Sequence, residues 1–310
     1  MKTIRSFLLL LLCASGTIPL GADGIDRIFH FDNDWVLKID LKKFSIQKND
    51  YVYERSFRNV YAFSDNGLIV SVFVEPAAQA GDSTVARRYY TEKLSQSPLV
   101  KTQEKTSEKG DAAFYEYFVP KFRDQEINQQ HLNMYVARDN LWIDIHISKV
   151  NYSHADRALF DAVIQSVKIE PKSAFDYFAA GSYMYRDKKY TNAAKYYSSA
   201  LDLEARKRTL DKEAWYALID HLGISLVLAG DSAKAKEVFL YGIKKTPDYA
   251  LFYYNLACTY GEESDAANAA RYLKQAKAVA KKTGQKLPDP KTDSSFDKVR
   301  DMKEFSTALE

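Results

Sequence analysis

Along the chain, the spacing of apolar residues changes near Glu170-Pro171-Lys172-Ser173. Before this point apolar residues mostly alternate, as in strands that bury one face; after it they recur at helical spacing. Pro171 interrupts regular structure, and Ser173 with Asp176 three residues on makes a capping pair for a following helix. The pattern predicts an α+β N-terminal domain, an antiparallel sheet with two helices, followed by an all-α domain of helical repeats. The expected boundaries are 1–22 for a targeting segment and 23–170 for the α/β domain. A linker is expected at 171–173, repeats over 174–283, and a loop with a closing helix over 284–310.

In the first region, Val60-Tyr61-Ala62-Phe63 and the run 68–74 flank Asn66-Gly67. Asn-Gly is a strong hairpin signal because both residues of a two-residue turn must accept positive φ. That turn sets Tyr61 opposite Val72 and Phe63 opposite Val70, with both faces largely apolar, which predicts a sheet covered on both sides. Residues 84–95 read as a helix capped by Asp82 or Ser83. Further strands are expected at 112–119, 130–137 and 141–150. A second helix starting from Ser153 and Asp156 should send Ala158, Leu159, Ala162, Val163 and Val167 to the sheet. The element order and the closing Ser166-Val167-Lys168-Ile169 resemble a PsbP-type domain over roughly residues 30–170. The resemblance implies a compact α/β fold and by itself no function.

In the second region three units share one internal spacing. Small residues Gly181, Gly223 and Ala257 each precede another small residue by twelve positions, Ala193, Ala235 and Ala269. Large residues Tyr197, Phe239 and Leu273 follow, then Ala200, Gly242 and Ala276, with Pro247 as a stop before the third unit. Small residues let two helices cross closely, and the larger ones fill the adjoining hollows. This pattern resembles three tetratricopeptide (TPR) repeats over about 174–283. Gly223 and Ala257 stand 34 residues apart, the period of that family; Gly181 and Gly223 stand 42 apart. The eight extra residues fit about one extra turn on each of two adjoining helices, with the charged stretch 204–213 at their tip. After Gly284 and a Pro-containing loop, Asp293-Ser294-Ser295 should start a last helix with Phe296, Val299, Met302, Phe305 and Leu309 on one side. It resembles the segment that covers the apolar end of such arrays.

The TPR resemblance implies a ligand groove lined by the first helix of each unit. The matching positions here are Phe178, Ser182, Tyr185, Asp220 and Tyr254, with Ile224 and Cys258 read instead as core. Aromatic residues there favour an extended peptide or a partner helix. Phe178 and Ser182 replace the lysine and asparagine by which some TPR domains clamp a C-terminal carboxylate, which disfavours that ligand class.

The search for chemistry yields one constellation. If Asp139-Asn140 turns a hairpin, Tyr135 faces Asp144, Asn133 faces His146 and His131 faces Ser148, all on one face. His131, Asp144 and His146 are the candidate metal ligands. The competing and preferred reading is a solvated or domain-contacting face, since alternation puts polar residues there regardless. No phosphate loop, nucleophile elbow or CxxC is present. No enzyme activity and no cofactor are expected.

Composition adds the compartment. Lys2 and Arg5, the apolar 7–12 and the small or polar 15–22 read as a signal peptide cleaved after Ala22 or Gly16. The apolar stretch is shorter than the roughly 20 residues that span a bilayer. Leu12 before Cys13 argues against a lipid anchor. Without Lys2 and Arg5 the net charge of +3 falls to +1, which gives no electrostatic case for nucleic acid or an anionic membrane. The expectation is a periplasmic or secreted adaptor that binds another protein or peptide. The alternative is a periplasmic small-molecule or metal-binding protein acting through its α/β domain; oligomeric state is left open.

Overall fold

The computed structural model describes residues 25–309 except Asp32, so the targeting segment lies outside the described residues. The described chain divides between Lys172 and Ser173 into two compact units. Among the described residues no helix is long and apolar enough to cross a membrane.

Among the described residues the first unit contains ten strands. They are β1 (Ile25–Phe29), β2 (Trp35–Asp40), β3 (Phe44–Val52), β4 (Phe57–Ser64), β5 (Leu68–Pro76), β6 (Thr102–Lys109), β7 (Ala112–Phe122), β8 (Gln125–Arg138), β9 (Leu141–Lys149) and β10 (Lys168–Pro171). Helices α1 (Ser83–Ser95) and α2 (Arg157–Ser166) complete it. Seven strands form one antiparallel sheet in the order β3-β4-β5-β9-β8-β7-β6, and β1-β2-β10 form a second. Valines and isoleucines at alternate positions, Val70, Val72, Ile143, Ile145 and Ile147, are fully buried on one face of the large sheet. They pack with Leu37 and Ile39 of β2 and with Phe160 and Val163 of α2. Each such side chain contributes about 1.5–3 kcal/mol by leaving water. On the opposite face, Ala86 of α1 packs with Tyr115, Tyr117, Tyr135 and Trp142. The sheet is therefore covered on both sides, as its apolar hairpin implied.

The β8–β9 hairpin has the expected register, with Tyr135 opposite Asp144, Asn133 opposite His146 and His131 opposite Ser148. Its turn residues Asp139 and Asn140 both take positive φ, 51° and 58°. The β4–β5 hairpin slips by one residue: Val60 pairs with Val72, Ala62 with Val70 and Tyr61 with Ser71. Gly67 has a φ of 80° but Asn66 is not left-handed, so the loop takes three residues, 65–67, instead of two. Because side chains alternate, one residue of slip exchanges the faces. Val60 and Ala62 go to the core, and Tyr61 and Phe63 to the other side.

Asp82 caps α1 by accepting from the backbone of Thr84 and Val85. Ser153 and Asp156 form the capping box that leads into α2. Phe160, not Ala158 or Ala162, is the main anchor of α2; both alanines are exposed. The stretch expected to be a linker is structured. Pro171 pairs with Trp35, the Lys172 amide donates to Asp34 O at 2.7 Å, and Ser173 caps the next helix.

The second unit runs α3 (Ala174–Arg186), α4 (Tyr190–Arg206), α5 (Lys212–Leu228), α6 (Ser232–Lys245), α7 (Ala250–Glu262) and α8 (Ala266–Thr283), ending in a short α9 (Lys303–Ser306). Successive helices pack on one another, and α5 also packs on α7 and α3. At the expected crossings Ala193, Ala200, Ala235, Ala257, Ala269 and Ala276 are fully buried, and Gly181 and Gly223 are buried too. A Cβ on Gly181 would lie 2.6 Å from the Tyr197 ring, and one on Gly223 would overlap the Phe239 ring. The large residue sixteen positions after each glycine therefore occupies the room that the missing side chain leaves. Pro247 lies between α6 and α7.

Helices α4 and α5 are 17 residues each, against 13 for α3 and α7, which places the extra turn where the 42-residue spacing put it. Their tip is not wholly a solvated run. Glu204 is buried and its Oε1 accepts from Thr209 N and Leu210 N at 2.8 and 3.1 Å, closing the turn into α5.

The closing segment departs from the expected helix. A 3-10 turn at Ser294–Phe296 and α9 are joined by further turns. Phe296, Val299 and Phe305 are fully buried, but Met302 is 40% exposed, because a broken segment does not present one helical stripe.

Candidate functional site

Phe178, Asp220 and Tyr254 each stand three residues before the small residue of their unit. In the structure each meets the next element in line. Phe178 stacks on His221 with ring centroids 6.0 Å apart, Asn255 Nδ2 donates to Asp220 Oδ1 at 2.8 Å, and the Tyr254 hydroxyl donates to Asp293 at 2.8 Å. All three are buried. The expectation that they line an open groove is therefore corrected: α3, α5, α7 and the closing segment pack side by side, and these positions fill the seams. Ile224 and Cys258 are buried, as core residues.

Ser182 and Tyr185 stay half-buried. The Ser182 hydroxyl donates to Phe178 O at 2.9 Å and accepts from Tyr197 at 3.1 Å. Tyr185 stacks on His221 at 5.6 Å. His221 is thus the hub of an aromatic cluster. Its ring packs against Phe178, Tyr185 and Tyr197. Burial holds it down to about 4, so it is neutral at pH 7. A second half-buried pair, Tyr216 and Tyr249, stacks at 4.0 Å.

Asp220 carries the clearest electrostatic signature of this unit. Burial pushes its carboxyl up to about 7, opposed by hydrogen bonds from Tyr249 at 3.1 Å and Asn255. The folded state thus holds this proton more tightly than the unfolded chain does. The stability from Asp220 is full below its ordinary value of 3.8 and is lost as pH rises through about 7. Asp220→Asn keeps an oxygen for Asn255 and removes the charge. We expect it to raise the stability of the helical unit at pH 8 by about 2 kcal/mol relative to the parent, with the two converging near pH 4. Urea melts of both proteins across that range check this.

The second candidate is the face of the large sheet that carries His131, Asp144 and His146. The expectation of a solvated surface is corrected here as well. His131, Asn133, Tyr135 and Ser148 are buried, the Tyr117 ring stacks on His131 at 4.4 Å, and Tyr90 of α1 stacks on Tyr135 at 5.3 Å. The three candidate ligands do not converge on a point. His131 Nδ1 and His146 Nε2 lie 2.9 Å apart, within hydrogen-bond distance, while Asp144 accepts from Asn133 Nδ2 at 3.0 Å. Among the described residues no group of three His, Cys, Asp or Glu is placed to hold a metal ion. Burial pushes Asp144 up to about 7 and lowers His146 to about 4 and His131 to about 3.

No family model matches the chain, and no curated protein matches it. Among solved structures, PcrH in complex with the chaperone binding region of PopB is similar over 41% of this chain and 90% of its own, at 17% identity and a TM-score of 0.31. PcrH from Pseudomonas aeruginosa is similar over 44% and 92%, at 16% identity and 0.32. PsbP (CyanoP) from Synechocystis sp. PCC 6803 is similar over 49% and 96%, at 12% identity and 0.35. Likeness at these scores assigns neither fold nor function.

Proposed function

We propose that the chain is an exported, non-catalytic adaptor in which a TPR-like array of three helix pairs, joined to a PsbP-like α/β domain, holds an extended peptide or a partner protein. The observation that carries this reading is the shared spacing. Three pairs share one twelve-residue spacing between small residues, and in the first two Gly181 and Gly223 are seated against Tyr197 and Phe239. Stacked pairs of this kind offer a rigid surface to a partner. The half-buried rings of this unit include Tyr185, Tyr216 and Tyr249, which take the place of the buried Phe178 and Tyr254 as candidates for contact. Rigid aromatic area is a recurring source of binding energy at protein contacts. A net charge near +1 after signal removal supports a protein partner over nucleic acid. The compartment follows from the N-terminal segment alone.

The test is capture of a partner by the immobilised mature protein from the envelope of its own cells. Truncating Tyr185 and Tyr216 to alanine should weaken that capture roughly a hundredfold, at about 1–2 kcal/mol each, with an unchanged circular dichroism spectrum. Capture at full strength by the double variant would exclude this surface.

A further inference from the structure

The large sheet ends in two edges, β3 and β6, and among the described residues no strand pairs with the outer side of either. A row of unpaired backbone N–H and C=O groups is a template for another strand unless it is obstructed. The β6 edge is obstructed. Glu104, Lys105, Glu108 and Lys109 are exposed along it, Gln103 takes a φ of 54° where its register breaks, and Arg87 of α1 donates to Ser107 O at 3.0 Å. The β3 edge is far less protected. Its register shifts between Ile46 and Lys48, but from Lys48 to Val52 it pairs with β4 without interruption. Only two charged residues stand in that run, Lys48 and Asp50. Ile46, just before it, and Val52, at its end, are 39% and 37% exposed, and Phe63, opposite Ser45 on β4, is exposed as well.

The two charges select a partner. Lys48 stands across from Tyr61 and Asp50 from Asn59, so both side chains are on one face of the sheet, where they form an exposed ion pair at 3.3 Å. When this run is laid antiparallel to a second copy of itself, a shift of one residue sets opposite faces against each other. Centred on Lys48, the pairing opposes two lysines; centred on Asp50, it opposes two aspartates. Centred on Asn49, it places each Lys48 directly opposite the partner's Asp50, twice over by two-fold symmetry.

We propose that the edge of β3 is the interface of a symmetric homodimer, in which the β3 strands of two copies pair antiparallel about Asn49, with Lys48 opposite the partner's Asp50, and join the two large sheets. Strand addition at a free edge draws its affinity from main-chain hydrogen bonds, and side chains set the register. A contact of one strand from each copy is smaller than the roughly 1,600 Å² of a standard interface, so the dimer should dissociate in the micromolar range. The interface belongs to the α/β unit and does not depend on the adaptor reading.

Sedimentation velocity on the full mature protein, from about 1 μM to about 1 mM, reads the association. The parent should pass from monomer to dimer over that range. Lys48→Asp and Asp50→Lys each set like charges across the two-fold axis and should each weaken association at least roughly tenfold. Both side chains are exposed, so the circular dichroism spectrum should not change. Mixed in equal amounts, the two single variants restore both cross-strand pairs and should associate as tightly as the parent, which a merely structural role of either residue would not produce. Lys105→Asp on β6 makes the same change in net charge as Lys48→Asp and should leave association as it is in the parent. Three results would each overturn the proposal: a parent that stays monomeric throughout, which leaves the edge to a strand of another chain; full association in either single variant; or a mixture that associates no more tightly than each variant alone.

Discussion

Gly223→Leu is expected to unfold the helical unit or to destabilise it by several kcal/mol. A single Cβ at this position already overlaps the Phe239 ring, and Phe239 is 1% exposed. A leucine adds three further carbons at the same crossing, so α5 and α6 must separate. Separation strips the buried Ala235 and Ile219 of their contacts as well. Ser95→Leu, at the exposed end of α1 in the other unit, should change stability little. Thermal melts of the two variants beside the parent check this. Equal melting temperatures for Gly223→Leu and the parent would refute the register of all three pairs.

Removing residues 287–310 should cost the helical unit nearly as much. Phe296, Val299 and Phe305 are fully buried against α7 and α8, and at about 2 kcal/mol each their loss amounts to several kcal/mol. The truncation also uncovers Tyr254 and Cys258 and leaves the Tyr254 hydroxyl without Asp293. Ending at Lys286 spares Gln285, whose Oε1 accepts from the Ala250 amide at the start of α7. The expected result is a lower urea midpoint and exposed apolar surface that binds a hydrophobic dye. An unchanged midpoint would show that the segment is not a structural cover.

Both expectations rest on features legible in the sequence, and the reasons for success and failure differ by element. The helix crossings were legible because close approach tolerates few residue types, so Gly181, Gly223 and Ala257 mark them. The long α4–α5 pair was legible because eight residues have to go somewhere. The β8–β9 register followed from two turn residues that both tolerate positive φ. Its neighbour β4–β5 slipped because Gly67 alone took that conformation, and nothing in Asn66-Gly67 distinguishes the two loops. Strands β1, β2, β3, β6 and β10 were not anticipated; β3 and β6 edge the sheet and are largely exposed, so no apolar alternation marks them. The site residues fared worst. Phe178, Asp220 and Tyr254 sit where a groove was expected, but whether such a position faces a ligand or the next helix depends on packing between units. That information is not local to any one repeat. His131, Asn133 and Tyr135 are buried only because α1 and Tyr117 pack on that face, which no local pattern foretells.

The central claim is that the helical unit holds the partner. The most direct measurement compares the affinity of a captured envelope protein for three forms of the mature chain: the parent, Tyr185→Ala with Tyr216→Ala, and Asp144→Asn. The account predicts roughly a hundredfold loss for the tyrosine pair and parent-like affinity for Asp144→Asn. Loss in Asp144→Asn with full affinity in the tyrosine pair would contradict it and move the function to the α/β unit.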